Sequence, residues 1–140
     1  MLPAVRSLHL LFASCWIGAY VAGDYLIRTR AKADDPLERV RAAQAILLGV
    51  EMPMAAIVPL LGLPLAFLNH SILTQRWFHM KMSAFLIVFA LLMIQARRLR
   101  LATESDTPDA ALASYLVLRL TGGIMLLVIV AAVTFRFGAL

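Results

Sequence analysis

The residues of this chain best suited to bind a cofactor are its three histidines. His9 lies about two turns into the first apolar segment, His70 ends the second and His79 opens the third. Membrane helices that alternate in direction bring these three positions to the same leaflet. Two neutral imidazoles on facing helices are what a b-type haem needs above and below its iron. We therefore predict that His9 and His79 are the metal ligands, with His70 as a reserve ligand or supporting group.

Other residues at the same level fit this prediction, but each also has a structural explanation. Arg76 and Lys81 could hold the haem propionates, or they could simply snorkel to the interface. His9 could instead form a hydrogen bond between helices, with His70 and His79 as solvated interfacial residues. One methionine could replace a histidine as ligand, although most are expected to fill the core: Met80, Met82, Met93 and Met125.

Glu51 is the only acidic residue inside an apolar segment, near the middle of the membrane. A lone carboxylate there must be protonated, paired or close to water. It could take up protons or bind a quinone or a tetrapyrrole, which makes it the candidate catalytic residue. It could equally bond to backbone groups that Pro53 frees. The sequence does not fix a partner for the carboxylate, and Arg119 on the fourth segment is one candidate.

Four apolar segments must position these residues, at about residues 2–23, 43–68, 77–97 and 110–137. The chain is 62% hydrophobic and 15% charged, with a mean hydropathy of +0.86. Soluble domains average about half apolar and a quarter charged. Each segment is close to the ~20 residues that cross a bilayer as a helix. We predict an all-α fold, a polytopic membrane four-helix bundle forming a single domain over residues 1–140.

The distribution of lysines and arginines predicts the orientation of the bundle in the membrane. It also explains the high pI without a nucleic-acid partner. Nine of the 13 lysines and arginines lie on the side of the two longer loops. The positive-inside rule then places these loops in the cytoplasm and both termini outside, in a bacterial inner membrane. The pI of about 10.1 follows from these topology signals, so the partner that we expect is the lipid bilayer and no nucleic acid.

Three short motifs carry a resemblance to a known family. Arg6-Ser7-Leu8-His9-Leu10-Leu11, followed by Trp16-Ile17-Gly18, resembles the opening helix of the HemJ-type protoporphyrinogen oxidases and the related CopD-like membrane proteins. Trp77-Phe78-His79-Met80-Lys81 resembles the Trp-Leu-His-x-Lys of their third helix, and Pro59-Leu60-Leu61-Gly62 is similar to their second helix. The resemblance spans about residues 5–100. In the last helix, Thr121-Gly122-Gly123 stands where the family has Asn-Glu-x-Pro.

The resemblance implies a membrane protein that holds haem b near one surface. His9 and His79 would be its haem-associated histidines, Lys81 a nearby charge, and Trp16 and Trp77 wall residues. The function that we predict is electron transfer or a membrane redox reaction, with a quinone, a porphyrinogen or a redox protein as partner. The alternative is a cofactor-free membrane anchor or accessory subunit. Either protein could form a homodimer or join a larger membrane complex, and the sequence leaves open whether it is an enzyme.

Overall fold

A computed structural model of the chain describes residues 2–68, 70–105 and 108–137, with side chains for residues 3–68, 71–105 and 108–131. Regular structure in these ranges is entirely helical. A 3-10 turn covers Arg30–Lys32, and a π-helical segment, Leu47–Glu51, joins two of the helices into one continuous span. The helices are α1 (Leu2–Arg28), α2 (Pro36–Ile46), α3 (Met52–Phe67), α4 (His70–Leu73), α5 (Arg76–Glu104) and α6 (Asp109–Phe137).

Four helical spans of the described residues are long and apolar enough to cross a membrane: Pro3–Arg28, Pro36–Phe67, Arg76–Glu104 and Asp109–Ala131. This confirms the predicted all-α membrane four-helix bundle, and the chain is an integral membrane protein. Its outer surface is apolar, as contact with lipid requires. Large side chains that are more than 60% exposed occur on all four spans, among them Tyr25, Leu60, Leu86, Val117 and Leu127.

The first long loop covers residues 29–35, whereas the predicted segments leave residues 24–42 between the membrane helices. The last turn of α1 includes an ion pair in which Arg28 Nε lies 2.7 Å from Asp24 Oδ2. At the start of α2, Asp35 accepts hydrogen bonds from two backbone N–H groups of the first turn, at 2.8 and 3.2 Å. Pro36 occupies the first turn, as its fixed φ favours. Charged residues therefore extend both helices beyond the hydrocarbon instead of ending them.

The other two connections also contain more helix than predicted. The predicted turn from Asn69 to Arg76 contains the short helix α4, although Asn69 itself lies outside the described residues. At the opposite end of the bundle, α5 continues to Glu104, whose Oε1 lies 2.8 Å from Arg100 Nε one turn earlier. At 1.5 Å per residue, the 29 residues of α5 span about 44 Å. This helix therefore projects beyond a hydrocarbon core of about 30 Å.

The π-helical segment resolves a conflict inside the second span. Pro53 has no N–H group, and its ring crowds the carbonyl group four residues earlier. Just before it the helix widens, so that Met52 N–H donates to the carbonyl oxygen of Leu47, five residues back. Segments of this kind often occur at functional sites. Here the widened turn ends at Glu51, which is fully buried.

The four spans form two hairpins that are close at one end and separate at the other. Residues of α1 pack along α2 and α3, and α5 packs along the length of α6. The hairpins meet mainly through α2 and α5, whereas α3 and α5 have few contacts. Because α2 lies at the end with the longer loops, the bundle is closed there. A groove opens between the hairpins at the opposite end.

Candidate functional site

The first candidate site is this groove, which we call the His9 groove. Its cavity volume is about 70 Å³, and it is partly open to the surroundings. Ligand pockets commonly have ~300–1,000 Å³, so the groove must widen to hold a large ligand. Its walls are apolar apart from an imidazole, an indole and an ammonium group. The lining residues are His9, Trp16, Val58, Pro59, Gly62, Leu63, Phe78, Lys81, Met82, Phe85 and Ile129.

A backbone carbonyl group fixes the tautomer of His9. Its Nδ1 atom lies 2.9 Å from the carbonyl oxygen of Val58. A carbonyl oxygen can only accept, so Nδ1 carries the hydrogen, and the neutral ring keeps a free lone pair on Nε2. The ring lies directly against α3, where a Cβ atom at Gly62 would come within 2.9 Å of His9 Cε1. Glycine at this position therefore lets the imidazole approach the helix.

Two further polar groups of the groove lack a partner. Trp16 is only 4% exposed and packs edge-on against Phe85, with ring centroids 6.2 Å apart. Its Nε1–H is buried and donates to no acceptor in the described part of the chain. Lys81 is half-buried and forms none of the ion pairs found among the described side chains. The groove thus combines a free imidazole nitrogen, a free N–H donor and a free cation.

The structure brings some of the predicted cofactor residues together and leaves others apart. His9, Trp16 and Lys81 share the groove, whereas His79 and Arg76 are exposed on α5. Trp77 is half-buried, and its indole donates to Gln75 Oε1. Positions 78, 81, 82 and 85 form the groove face of α5, and His79 lies about 100° around the helix from Phe78. The two-histidine ligand set therefore stays a prediction, and the His70 side chain lies outside the described residues.

The second candidate site is a buried polar group around Glu51, which we call the ion-pair cluster: Tyr20, Glu51, Gln95, Tyr115 and Arg119. Arg119 Nη1 lies 2.7 Å from Glu51 Oε2, and Nη2 lies 2.7 Å from Oε1. The two side chains are 1% and 0% exposed. The arrangement is a bidentate pair, the strongest geometry for these groups. Arg119, one of the candidates from the sequence, is therefore the partner of Glu51.

The remaining members of the cluster hold the guanidinium from two other spans. Arg119 Nη1 also donates to Gln95 Oε1 at 3.1 Å, and Nη2 donates to the carbonyl oxygen of Tyr20. The guanidinium carbon lies 3.6 Å from the centroid of the Tyr20 ring, and the Tyr20 hydroxyl donates to the Arg119 carbonyl oxygen. Sequence reasoning missed Tyr20, Gln95 and Tyr115. The one sequence signal for these residues is a polar side chain inside an apolar segment. That signal is weak evidence for a functional site when the residue is tyrosine or glutamine, because both also occur as ordinary membrane-helix residues.

A glycine on α1 makes room for the ion pair. A Cβ atom at Gly23 would lie 3.0 Å from Arg119 Nη2 and 3.1 Å from Glu51 Oε1. These distances are shorter than normal contacts, and both side chains are fixed by their mutual hydrogen bonds. By contrast, a Cβ atom at Gly18 on the same helix would meet nothing within 4 Å. Only the first glycine is therefore required by packing.

Alanine substitutions at these two glycines should have opposite effects. We expect Gly23→Ala to lower the thermal unfolding midpoint of the purified protein, because the added methyl group pushes against the buried pair. Gly18→Ala is the matched control and should leave the midpoint unchanged or raise it, since alanine favours a helix over glycine by about 0.5–1 kcal/mol. Equal midpoints for the two variants would contradict the close approach of the ion pair to α1.

Removing one charge of the ion pair should destabilise the bundle more than removing both. Glu51→Gln leaves the Arg119 guanidinium buried without a counter-ion, and breaking a buried pair in this way costs about 3–5 kcal/mol. We expect the double variant Glu51→Met, Arg119→Met to recover most of the lost stability, because no charge remains buried. Unfolding midpoints in one detergent compare the two. A double variant less stable than Glu51→Gln would show that the hydrogen bonds of the pair stabilise the bundle beyond compensating the two buried charges.

Comparison with models of protein families, with curated proteins and with solved structures finds no match for this chain. An argument about function therefore depends on the residues of the His9 groove and of the ion-pair cluster.

Proposed function

We propose that the protein binds haem b in the His9 groove and acts in electron transfer within the membrane. The observation that carries the proposal is the hydrogen bond from His9 Nδ1 to the Val58 carbonyl oxygen. Metal-binding histidines usually donate their second ring nitrogen in this way, which orients the ring and makes the free nitrogen more basic. His9 would hold the haem through its free Nε2 atom.

The other polar groups of the groove suit the edge of a haem. Lys81 would pair with a propionate, and Trp16 Nε1–H would donate to an oxygen atom of the group, which would give both free groups a partner. Haem b supplies one-electron transfer when bound, with a potential that depends on its ligands and its burial. The resemblance of the motifs around His9 and Lys81 to HemJ-type proteins supports the same assignment.

The apolar walls of the groove would keep water away from a bound haem. Phe78, Phe85, Leu63 and Ile129 would exclude water from the bound group, which limits solvation of the oxidised iron and so influences the potential. Met82 also lines the groove and would be a second residue able to bind the iron. The electron partner that we propose is a quinone, a porphyrinogen or a redox protein.

Haem binding predicts a red protein whose colour depends on His9 more than on His79. We expect reduced-minus-oxidised visible spectra of the detergent-purified wild type to show a sharp α-band. That band should be lost in His9→Ala, because this imidazole lines the groove. It should persist in His79→Ala, the matched control, because His79 is exposed.

The other outcomes of this experiment are equally decisive. Loss of the band in both variants would overturn haem binding through His9 alone and favour binding through both His9 and His79. A colourless wild type, even after expression with added haem, would overturn the haem proposal and favour a cofactor-free anchor or accessory subunit. A second matched pair tests the free indole group: Trp16→Phe should lower the haem content, whereas Trp77→Phe should not.

We also propose that the protein lies in a bacterial inner membrane with its α1–α2 and α5–α6 connections in the cytoplasm. Eight cations near these connections support this orientation. Arg119, counted on the same side from sequence, is buried in the bundle and gives no topology signal. The eight are Arg28, Arg30, Lys32, Arg39, Arg41, Arg97, Arg98 and Arg100.

Cysteine labelling tests this orientation. In a Cys15→Ser background, we expect Thr74→Cys to react with a membrane-impermeant maleimide in intact spheroplasts. Ala31→Cys should react only after the membrane is opened, because it lies in the α1–α2 connection. Both positions are exposed in the structure, so accessibility differs only by side. The reverse pattern would invert the topology.

A further inference from the structure

Polar contacts join the α1 end of the chain to α6 at two levels. At the loop end, Arg30 Nη2 in the 3-10 turn after α1 lies 3.5 Å from Asp109 Oδ1, at the start of α6. In the middle of the bundle, Tyr20 and Arg119 exchange two hydrogen bonds. The second pair sets an antiparallel register for α1 and α6 at this level.

The same register places Asp24 opposite Tyr115. Four residues along α1 lead from Tyr20 to Asp24, and four residues back along α6 lead from Arg119 to Tyr115. With an equal rise per residue in both helices, these two residues lie at the same level, about 6 Å closer to the loop end than Tyr20 and Arg119. We call Asp24, Tyr115 and the adjoining edge of Arg119 the α1–α6 seam.

Each member of this seam has a buried polar atom without a protein partner among the described residues. These atoms are Asp24 Oδ1, the Tyr115 hydroxyl and Arg119 Nε. The other carboxylate oxygen of Asp24 already accepts from Arg28, and the other guanidinium nitrogens are bonded within the ion-pair cluster. An unsatisfied polar group is costly anywhere in a protein interior and more so at membrane depth.

The three atoms together match the bonding capacity of water. The carboxylate oxygen accepts, Arg119 Nε–H donates, and the tyrosine hydroxyl can do either. A buried water typically forms about three hydrogen bonds to groups of this kind. Tyr115 and Arg119 are 0% and 1% exposed, so bulk solvent does not satisfy them.

We propose that the α1–α6 seam binds internal water and that this water forms a route for hydrogen exchange from the loop end of the bundle to Arg119, in the ion-pair cluster. The seam begins below the exposed pair of Arg30 and Asp109 and ends at Arg119. Glu51 Oε1 reaches α1 beside Gly23, the neighbour of Asp24. This inference concerns the ion-pair cluster and does not depend on haem in the His9 groove.

The seam meets the ion-pair cluster at Arg119 Nε. Both Glu51 carboxylate oxygens accept from Arg119 Nη1 and Nη2, so water in the seam would bond to the remaining guanidinium nitrogen, Nε. Hydrogen exchange at this N–H group therefore reports on the seam water.

Removal of the Tyr115 hydroxyl distinguishes a hydrated seam from a dry one. If the hydroxyl holds water, Tyr115→Phe loses those hydrogen bonds, and we expect the unfolding midpoint to fall by roughly 2–8 °C. In a dry seam the same variant deletes an unsatisfied group, so an unchanged or raised midpoint overturns the proposal. Tyr25→Phe is the matched control, because Tyr25 is 63% exposed and should leave the midpoint unchanged.

Proton exchange at Arg119 tests the route itself. In protein labelled with ¹⁵N-arginine and held in nanodiscs, the Arg119 Nε–H signal is identified by its loss in Arg119→Lys. We expect this hydrogen to exchange with water at least about tenfold faster in the wild type than in Asp24→Leu, which closes the seam with an apolar group. Slow exchange in both proteins, or equally fast exchange in both, would overturn a route through Asp24.

Discussion

The bidentate ion pair between Glu51 and Arg119 joins the two hairpins at the middle of the membrane, and it draws a group from each of the four spans. Lipid offers little hydrophobic driving force for helices to associate, so polar contacts and close packing must fix their register. Gly23 and the π-helical segment serve this contact, since one provides space for it and the other ends at its carboxylate.

The position of the His9 groove follows from where the two hairpins are held together. The ion-pair cluster holds the bundle together at its middle, and the contacts of α2 with α5 hold it together at the loop end. In the other half, α3 continues beyond Pro53 with few contacts to α5, and the space between them is the groove. A rigid half beside an open half suits a membrane protein that holds a planar group, because the walls can adjust while the helix register stays fixed.

Composition and hydropathy were sufficient to predict the fold, because segments of about twenty apolar residues have few alternatives in lipid. The partnership of Glu51 with Arg119 could only be suggested, because sequence shows that each is a rare charge inside an apolar segment but does not show which side chains meet. The side of α5 that faces the groove was not predicted. Apolar residues surround that helix, so hydropathy does not distinguish its faces, and His79 lies on the exposed side. The π-helical segment was not predicted either, because a single widened turn does not change the composition or hydropathy of the helix.

The ion pair also has a consequence for biogenesis. Ribosomes deliver the chain from its N-terminus, so Glu51 enters the bilayer while Arg119 is still being synthesised. Inserting an arginine at the centre of a lone helix costs about 2.5–3.5 kcal/mol, and the waiting carboxylate can lower that cost for α6. Insertion of the last span would therefore depend on the earlier ones, and a nascent chain that stops before residue 119 leaves Glu51 without its arginine partner.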